Sequence, residues 1–106
     1  MTTASEARVP TKHASRYVQQ LCKHWSHNLS VELDETRGTI VFPRDSRGAE
    51  WPADATVTLS AETAALVCRI DASHPGQLEG LQGALAQHLD RFAFREAPMM
   101  FDWHDA

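Results

Sequence analysis

At 106 residues the chain is long enough to bury one core and too short for two domains. Its 42% hydrophobic and 23% charged residues are ordinary for a soluble globular protein, which sets aside a disordered or fibrous chain. A net charge of −4, with ten Lys and Arg residues that form no basic stripe, argues against a nucleic-acid partner.

No apolar run approaches the ~20 residues needed to cross a bilayer, so no membrane association is expected. The polar start, MTTASEARVP, lacks the apolar stretch of a secretory signal, and the expected location is the cytoplasm. Cys22 and Cys68 fall at core positions rather than at disulfide-framework spacings and read as two buried thiols.

In chain order, residues 1–10 are small, polar and closed by Pro10. They read as a flexible N-terminus ahead of a single α+β domain over residues 11–106. Thr11 to Asn28 reads as an amphipathic helix capped by Thr11 or Ser15, with Ala14, Tyr17, Val18, Leu21, Cys22 and Trp25 on its apolar face. Lys12, Arg16 and Lys23 lie opposite, and Asn28 suits the helix end.

Leu29, Val31 and Leu33 alternate with polar residues, the period of a half-buried strand. Asp34 to Gly38 carries turn chemistry, and Thr39 to Phe42 returns with Ile40 and Phe42 inward, completing a hairpin that Pro43 ends. Arg44 to Asp54 reads as an exposed loop with a short edge strand, in which Trp51 covers the sheet edge. A second hairpin is expected from 55–60 and 64–71, with Val57, Leu59, Leu66, Cys68 and Ile70 inward.

The second helix follows, capped by Ser73 with Pro75 in its first turn, and Leu78, Leu81, Leu85, Leu89 and Phe92 form its stripe. Gly80 and Gly83 lie off that stripe, and each costs the helix about 1 kcal/mol relative to Ala. Pro98 is the expected stop, and Met99 to Trp103 reads as a last strand. The order α-β-β-β-β-α-β implies an α+β two-layer sandwich. Both helices would lie on one face of an antiparallel sheet of four or five strands, with a polar or associating face opposite.

Chemistry concentrates beside the first helix's apolar face. His13, Gln20, His24 and His27 share a sector of about 60°, with Tyr17 between it and the core. Imidazole is the commonest metal ligand and titrates near neutrality, so His24 and His27 are candidate ligands. The linear string Cys22-x-His24-x-x-His27 does not converge, because Cys22 points about 140° from His27 on a helix. His88 projects from the second helix on the side of Arg91 and is expected to meet His24 or Tyr17 across the seam. Arg91, Arg95, Asp34 and Glu35 are the expected charge partners there. His74 and His104 read as solvent-exposed. A glycine-flanked serine and a phosphate-cradling glycine loop are both missing, so nucleophilic and nucleotide chemistry find no support.

LCKHW at 21–25 with His27, HLDRFAFRE at 88–96, Gly38-x-Ile40-x-Phe42, Tyr17 and Trp103 together resemble a small bacterial family catalogued as domain of unknown function 2218. The resemblance covers roughly residues 8–104, and the 44–54 loop departs from it. It implies no activity, and an association with siderophore-interacting flavin reductases implies an iron-handling context.

The sequence therefore favours a non-catalytic binding or accessory module over an enzyme. Tyr17, His24, His27, His88 and Arg91 would hold a small ligand, an anion or a partner group, and His24, His27 and His88 would hold a metal ion as cofactor. The rivals are a small enzyme using His24 and His88 in acid–base chemistry and a structural dimerisation domain. The partner would then be a second copy or another protein.

Overall fold

The structure, a computed structural model, describes residues 3–45 and 48–106. Thr3–Pro10 is an eight-residue strand, β1, and not a flexible lead-in. It pairs antiparallel with β5 (Ala65–Ala72) along its whole length, from Thr3 opposite Ala72 to Pro10 opposite Ala65. Ser5, Ala7 and Val9 point into the core while Glu6 and Arg8 point out. The strand is poor in β-branched and aromatic residues, so intrinsic preference is weak and pairing with β5 decides its conformation. Met1 and Thr2, the start of that expected flexible segment, lie outside the described residues.

The first helix, α1, runs Ala14–Trp25, shorter at both ends than the expected Thr11–Asn28 and matching the extent of its apolar face. No side chain caps its start. Thr11 Oγ1 instead accepts the His13 N–H, and Ser15 Oγ donates to the Glu35 carbonyl. Ala14, Tyr17, Val18, Leu21, Cys22 and Trp25 are its buried face, as the periodicity predicts. β2 (Ser30–Leu33) and β3 (Arg37–Phe42) form the first hairpin, and Asp34 Oδ1 accepts the Thr36 and Arg37 N–H groups in its turn. β2 ends the sheet, which leaves Leu33 39% exposed instead of inward.

β4 (Ala55–Ala61) and β5 make the second hairpin, with Val57, Leu59, Leu66, Cys68 and Ile70 buried. The second helix, α2, spans Pro75–Phe92 with Leu85 and Leu89 fully covered. Its N-cap is His74, whose Nδ1 accepts the Gly76 N–H; Ser73 lies one residue earlier. The helix ends at Phe92, well before Pro98. Of the last segment only His104–Asp105 pairs, as β6 against Glu6 and Ser5. Met99 is buried and Phe101 stacks on Trp103, so this stretch packs as irregular chain and not as a strand.

The described strands form one antiparallel six-stranded sheet in the order β2-β3-β4-β5-β1-β6. The fold is thus the expected α+β sandwich with one strand more at its start. α1 lies over β3 to β5 and α2 over β5 and β1, and both contribute to a single core with Val9, Ile40, Val57, Leu59 and Ile70. The opposite face is polar; one row across it reads Glu6, Arg69, Thr58, Thr39 and Glu32.

Two glycines separate packing from propensity. A Cβ on Gly38 would collide with the Cys22 Sγ of α1, whereas one on Gly83 would meet open space. Gly83→Ala is expected to raise stability by about 0.5–1 kcal/mol and Gly38→Ala to lower it by about 1–3 kcal/mol, read by urea unfolding. Adding Cys22→Ala to Gly38→Ala should cost less than the sum of the two, because the two sites touch.

Candidate functional site

α1 and α2 touch through His24 and His88. The two imidazole centroids are 4.9 Å apart, so of the two partners expected for His88, His24 and Tyr17, the packing brings His24. His88 is also 5.0 Å from the Trp25 ring, and His24 is 5.8 Å from Phe92. Trp25 in turn meets Phe42 of β3 edge-on at 5.4 Å. His88 Nδ1 lies 2.6 Å from the Ala84 carbonyl one turn earlier. That contact assigns the proton to Nδ1 and leaves Nε2 free.

Beyond this contact the helices part, and a cleft of about 630 Å³ opens between them and the end of β3. Its walls are largely apolar: Trp25, Leu29, Phe42, Trp51, Leu81 and Ala84. The polar groups reaching it are His24, His27, Asn28, Gln77 and His88, and among the described residues no Asp, Glu, Lys or Arg lines it. Leu81 continues the stripe of Leu85 and Leu89 but stays half-exposed, because α1 does not reach over it.

The 44–54 loop supplies the outer wall. Among its described residues it forms no strand, and Ser46 and Arg47 lie outside them. Arg44 N–H donates to Asp54 and Trp51 N–H to the Arg44 carbonyl, closing the loop on itself. A ring of hydrogen bonds then ties it to α2: Ser73 N–H to Gln77 Oε1, Gln77 Nε2 to the Ala53 carbonyl, and Ala53 N–H to Ser73 Oγ. Gln77 is buried, so these bonds satisfy an amide that would otherwise be costly. Trp51 is thereby set against His74 and over Gly76, where even a Cβ would press on the indole. It lines the cleft and does not cap the sheet edge. Phe42 and Gln77 carry no site signal in the sequence, whereas Trp51, a large aromatic residue alone in a polar loop, does.

Burial against its neighbours lowers the His24 pKa below the ordinary imidazole value, and His88, His27 and Arg91 add to the shift. Asp34 and Glu35 take no part in the seam. The Asp34 carboxylate caps its own turn, and both carbonyls accept from Gln19. Arg91 is exposed and outside the lining, and Arg95 lies over the Phe94 ring. Neither forms an ion pair among the described residues. Gln20 continues the seam from His24, with Oε1 buried and unpartnered. His74 and His104 are exposed as expected.

Tyr17 and His13 belong elsewhere. Tyr17 Oη donates to Glu96, the last residue of the second motif, and Thr11 Oγ1 lies 2.9 Å from the same carboxylate. The His13 ring stands 6.3 Å from Tyr17. This contact latches the chain after α2 onto the start of α1 and is remote from the His24–His88 pair in role and in partners. The metal set His24, His27 and His88 does not assemble either. Among the described residues no three His, Cys, Asp or Glu side chains are placed to hold one ion. Cys22 and Cys68 are buried and unpaired, and burial pushes their thiols up to about 11 and about 12, away from nucleophilic use.

A family model described as an uncharacterised protein conserved in bacteria, DUF2218, matches residues 6–104. The NMR structure of PA4090 from Pseudomonas aeruginosa is similar at 29% identity and a TM-score of 0.73, covering 96% of this chain and 95% of that one. None of the curated proteins matches significantly.

The Tyr17–Glu96 latch has a pH signature. The Tyr17 hydroxyl, helped by Thr11, holds the Glu96 carboxyl below its usual range, and burial with the Glu96 bond pushes Tyr17 up to about 12. A depressed carboxylate pKa stabilises the fold above the unfolded value, and that contribution is lost as pH falls through the folded one. Tyr17→Phe should therefore cost about 1.5–3 kcal/mol at neutral pH. The gap from the parent should narrow below pH ~4, seen in urea unfolding at several pH values.

Proposed function

Since the chain belongs to DUF2218, an uncharacterised family conserved in bacteria, its fold brings no activity with it, and from the site we propose a non-catalytic binding module whose cleft takes a small organic molecule. One observation carries this reading: the apolar stripe of α2 runs on past the end of α1. Leu81 and Ala84 then face Trp25, Phe42 and Trp51 across about 630 Å³ of open space. Apolar walls with a few converging polar groups, at a volume within ~300–1,000 Å³, are the usual form of a small-molecule site. The cleft's outer wall is held by the Ser73–Gln77–Ala53 bonds, so it is set before any ligand arrives.

A catalytic reading has one observation in its favour, a neutral His24 beside His88 at the mouth of a concave site. An iron-handling role gains no support from the lining, which offers imidazoles and amides but no carboxylate or thiolate. Dimerisation through the open sheet face would have to use rows of Thr and charged residues, an unusual composition for the core of an interface. Two free, buried thiols fit a reducing compartment, and the proposal places the protein in the cytoplasm. No helix among the described residues is long and apolar enough to cross a membrane.

Gly80 lines the cleft, and a Cβ there would meet no neighbour, which leaves room for a longer side chain to enter. Gly80→Leu should thus fill the cleft while stabilising the helix by about 0.5–1 kcal/mol. With flat aromatic probes, amide shifts in NMR spectra of the parent should cluster on residues 24–28 at the end of α1, on Trp51 and on α2 residues 76–88. Those shifts should vanish in the better-folded Gly80→Leu protein. A parent that binds no such probe, or a variant that binds them unchanged, would overturn the reading.

A further inference from the structure

The described chain carries more acid than base, yet the end of the cleft where the helices meet collects base alone. His24 is faced from α2 by His88 and Phe92, with Arg91 acting on it from that helix's exposed side, and from its own segment by Trp25 and by His27 just past the helix end. Every charged neighbour acting on it is a base, and none of the lining residues is acidic. The carboxylates of the adjoining segments are engaged away from this pair: Asp90 accepts the Met99 N–H, Glu96 is held by Tyr17 and Thr11, and Asp34 caps its turn. His24, His27 and Arg91 are exposed and His88 is half-buried, so these bases stand at the open mouth of the cleft, where their mutual repulsion disfavours the charged forms and a counter-charge would relieve it. Here the protein supplies none.

Resting on the binding role proposed above, we infer that the cleft's ligand is an organic carboxylate with a flat apolar body, whose anionic end sits between His24 and His88 and is bound with uptake of one proton by that imidazole pair. The apolar body would lie against Trp25 at the end of α1 and against Phe42, Trp51 and Leu81, which α1 leaves uncovered. The proton is required by the tautomer. His88 Nδ1–H is committed to the Ala84 carbonyl, so Nε2 is a bare acceptor that faces an anion badly until it is protonated. Neutral His24 can donate one N–H, and the protonated partner donates the second, matching the two oxygens of a carboxylate. The bound proton belongs to the pair and not to either ring alone. Without ligand, desolvation by its neighbours and like charge lower the His24 pKa, and the anion reverses that balance. Binding therefore weakens as pH rises, approaching tenfold per pH unit where free protein is neutral and the complex is protonated.

Naphthoate and uncharged naphthamide, titrated calorimetrically into the full chain in Tris and in HEPES at pH 7.5, test this. Expected are preference for naphthoate, an uptake near one proton from the difference between buffers, and affinity falling about tenfold between pH 7 and pH 8. His24→Gln and His88→Gln should each abolish the proton uptake and bring naphthoate down to the affinity of naphthamide. Naphthamide bound as well as naphthoate, or naphthoate bound without proton uptake, would overturn the carboxylate inference while leaving the binding role standing. Neither compound bound by the parent would overturn both. Naphthoate bound by Gly80→Leu as by the parent would place the anion outside the cleft and overturn the inference as well.

Discussion

The pairing of β1 with β5 is the constraint on which the architecture depends. Two helices side by side need roughly 20 Å of sheet, since packed helices lie ~8–10 Å apart and each is ~10 Å wide. The β2–β5 meander alone, at ~4.8 Å per strand, is about 14 Å across and would leave α2 half unsupported. Eight further residue pairs along β5 widen the platform, and small side chains at Ser5 and Ala7 let α2 settle on it. Gln82 Nε2 donates to Ser5 Oγ, which donates to the His104 carbonyl, so helix, strand and C-terminus close at one point. β6 can pair only because β1 is already there.

The cleft is a consequence of unequal helices on that platform. α2 has 18 residues and α1 has 12, so the longer one presents apolar surface that the shorter one cannot cover. The 44–54 loop reaches the uncovered end without filling it, because backbone and amide hydrogen bonds fix it at Ala53 and leave the Trp51 ring standing beside Gly76. The two signature motifs then divide their labour. HLDRFAFRE begins with the imidazole that meets His24 and ends with the carboxylate that holds Tyr17 and Thr11. One segment thus sets the mouth of the cleft and anchors the chain that leaves α2. The polar seam is satisfied in part by its own backbone, through Ala84, and its basic side chains remain without an acidic partner.

The sequence by itself determined the α+β class, both helices with their apolar stripes, and the two hairpins. Each follows from short-range periodicity: 3.6 residues for Leu21, Cys22 and Trp25, two residues for Cys68 and Ile70. Only the tertiary structure decided the rest. β1 was illegible because Ala, Ser and Glu state no preference, and its partner lies some 60 residues away. Tyr17 reads as a seam residue on a helical wheel, yet Glu96 claims it, since a wheel ranks directions on one helix and not the partners that arrive from another. Arg91 points with His88 in sequence but stays in solvent. Trp51 and Gln77 became cleft residues through a loop geometry set by long-range hydrogen bonds. Local pattern tells which face of an element is apolar; what covers that face, or leaves it open for a ligand, is settled by lengths and pairings that no short window contains.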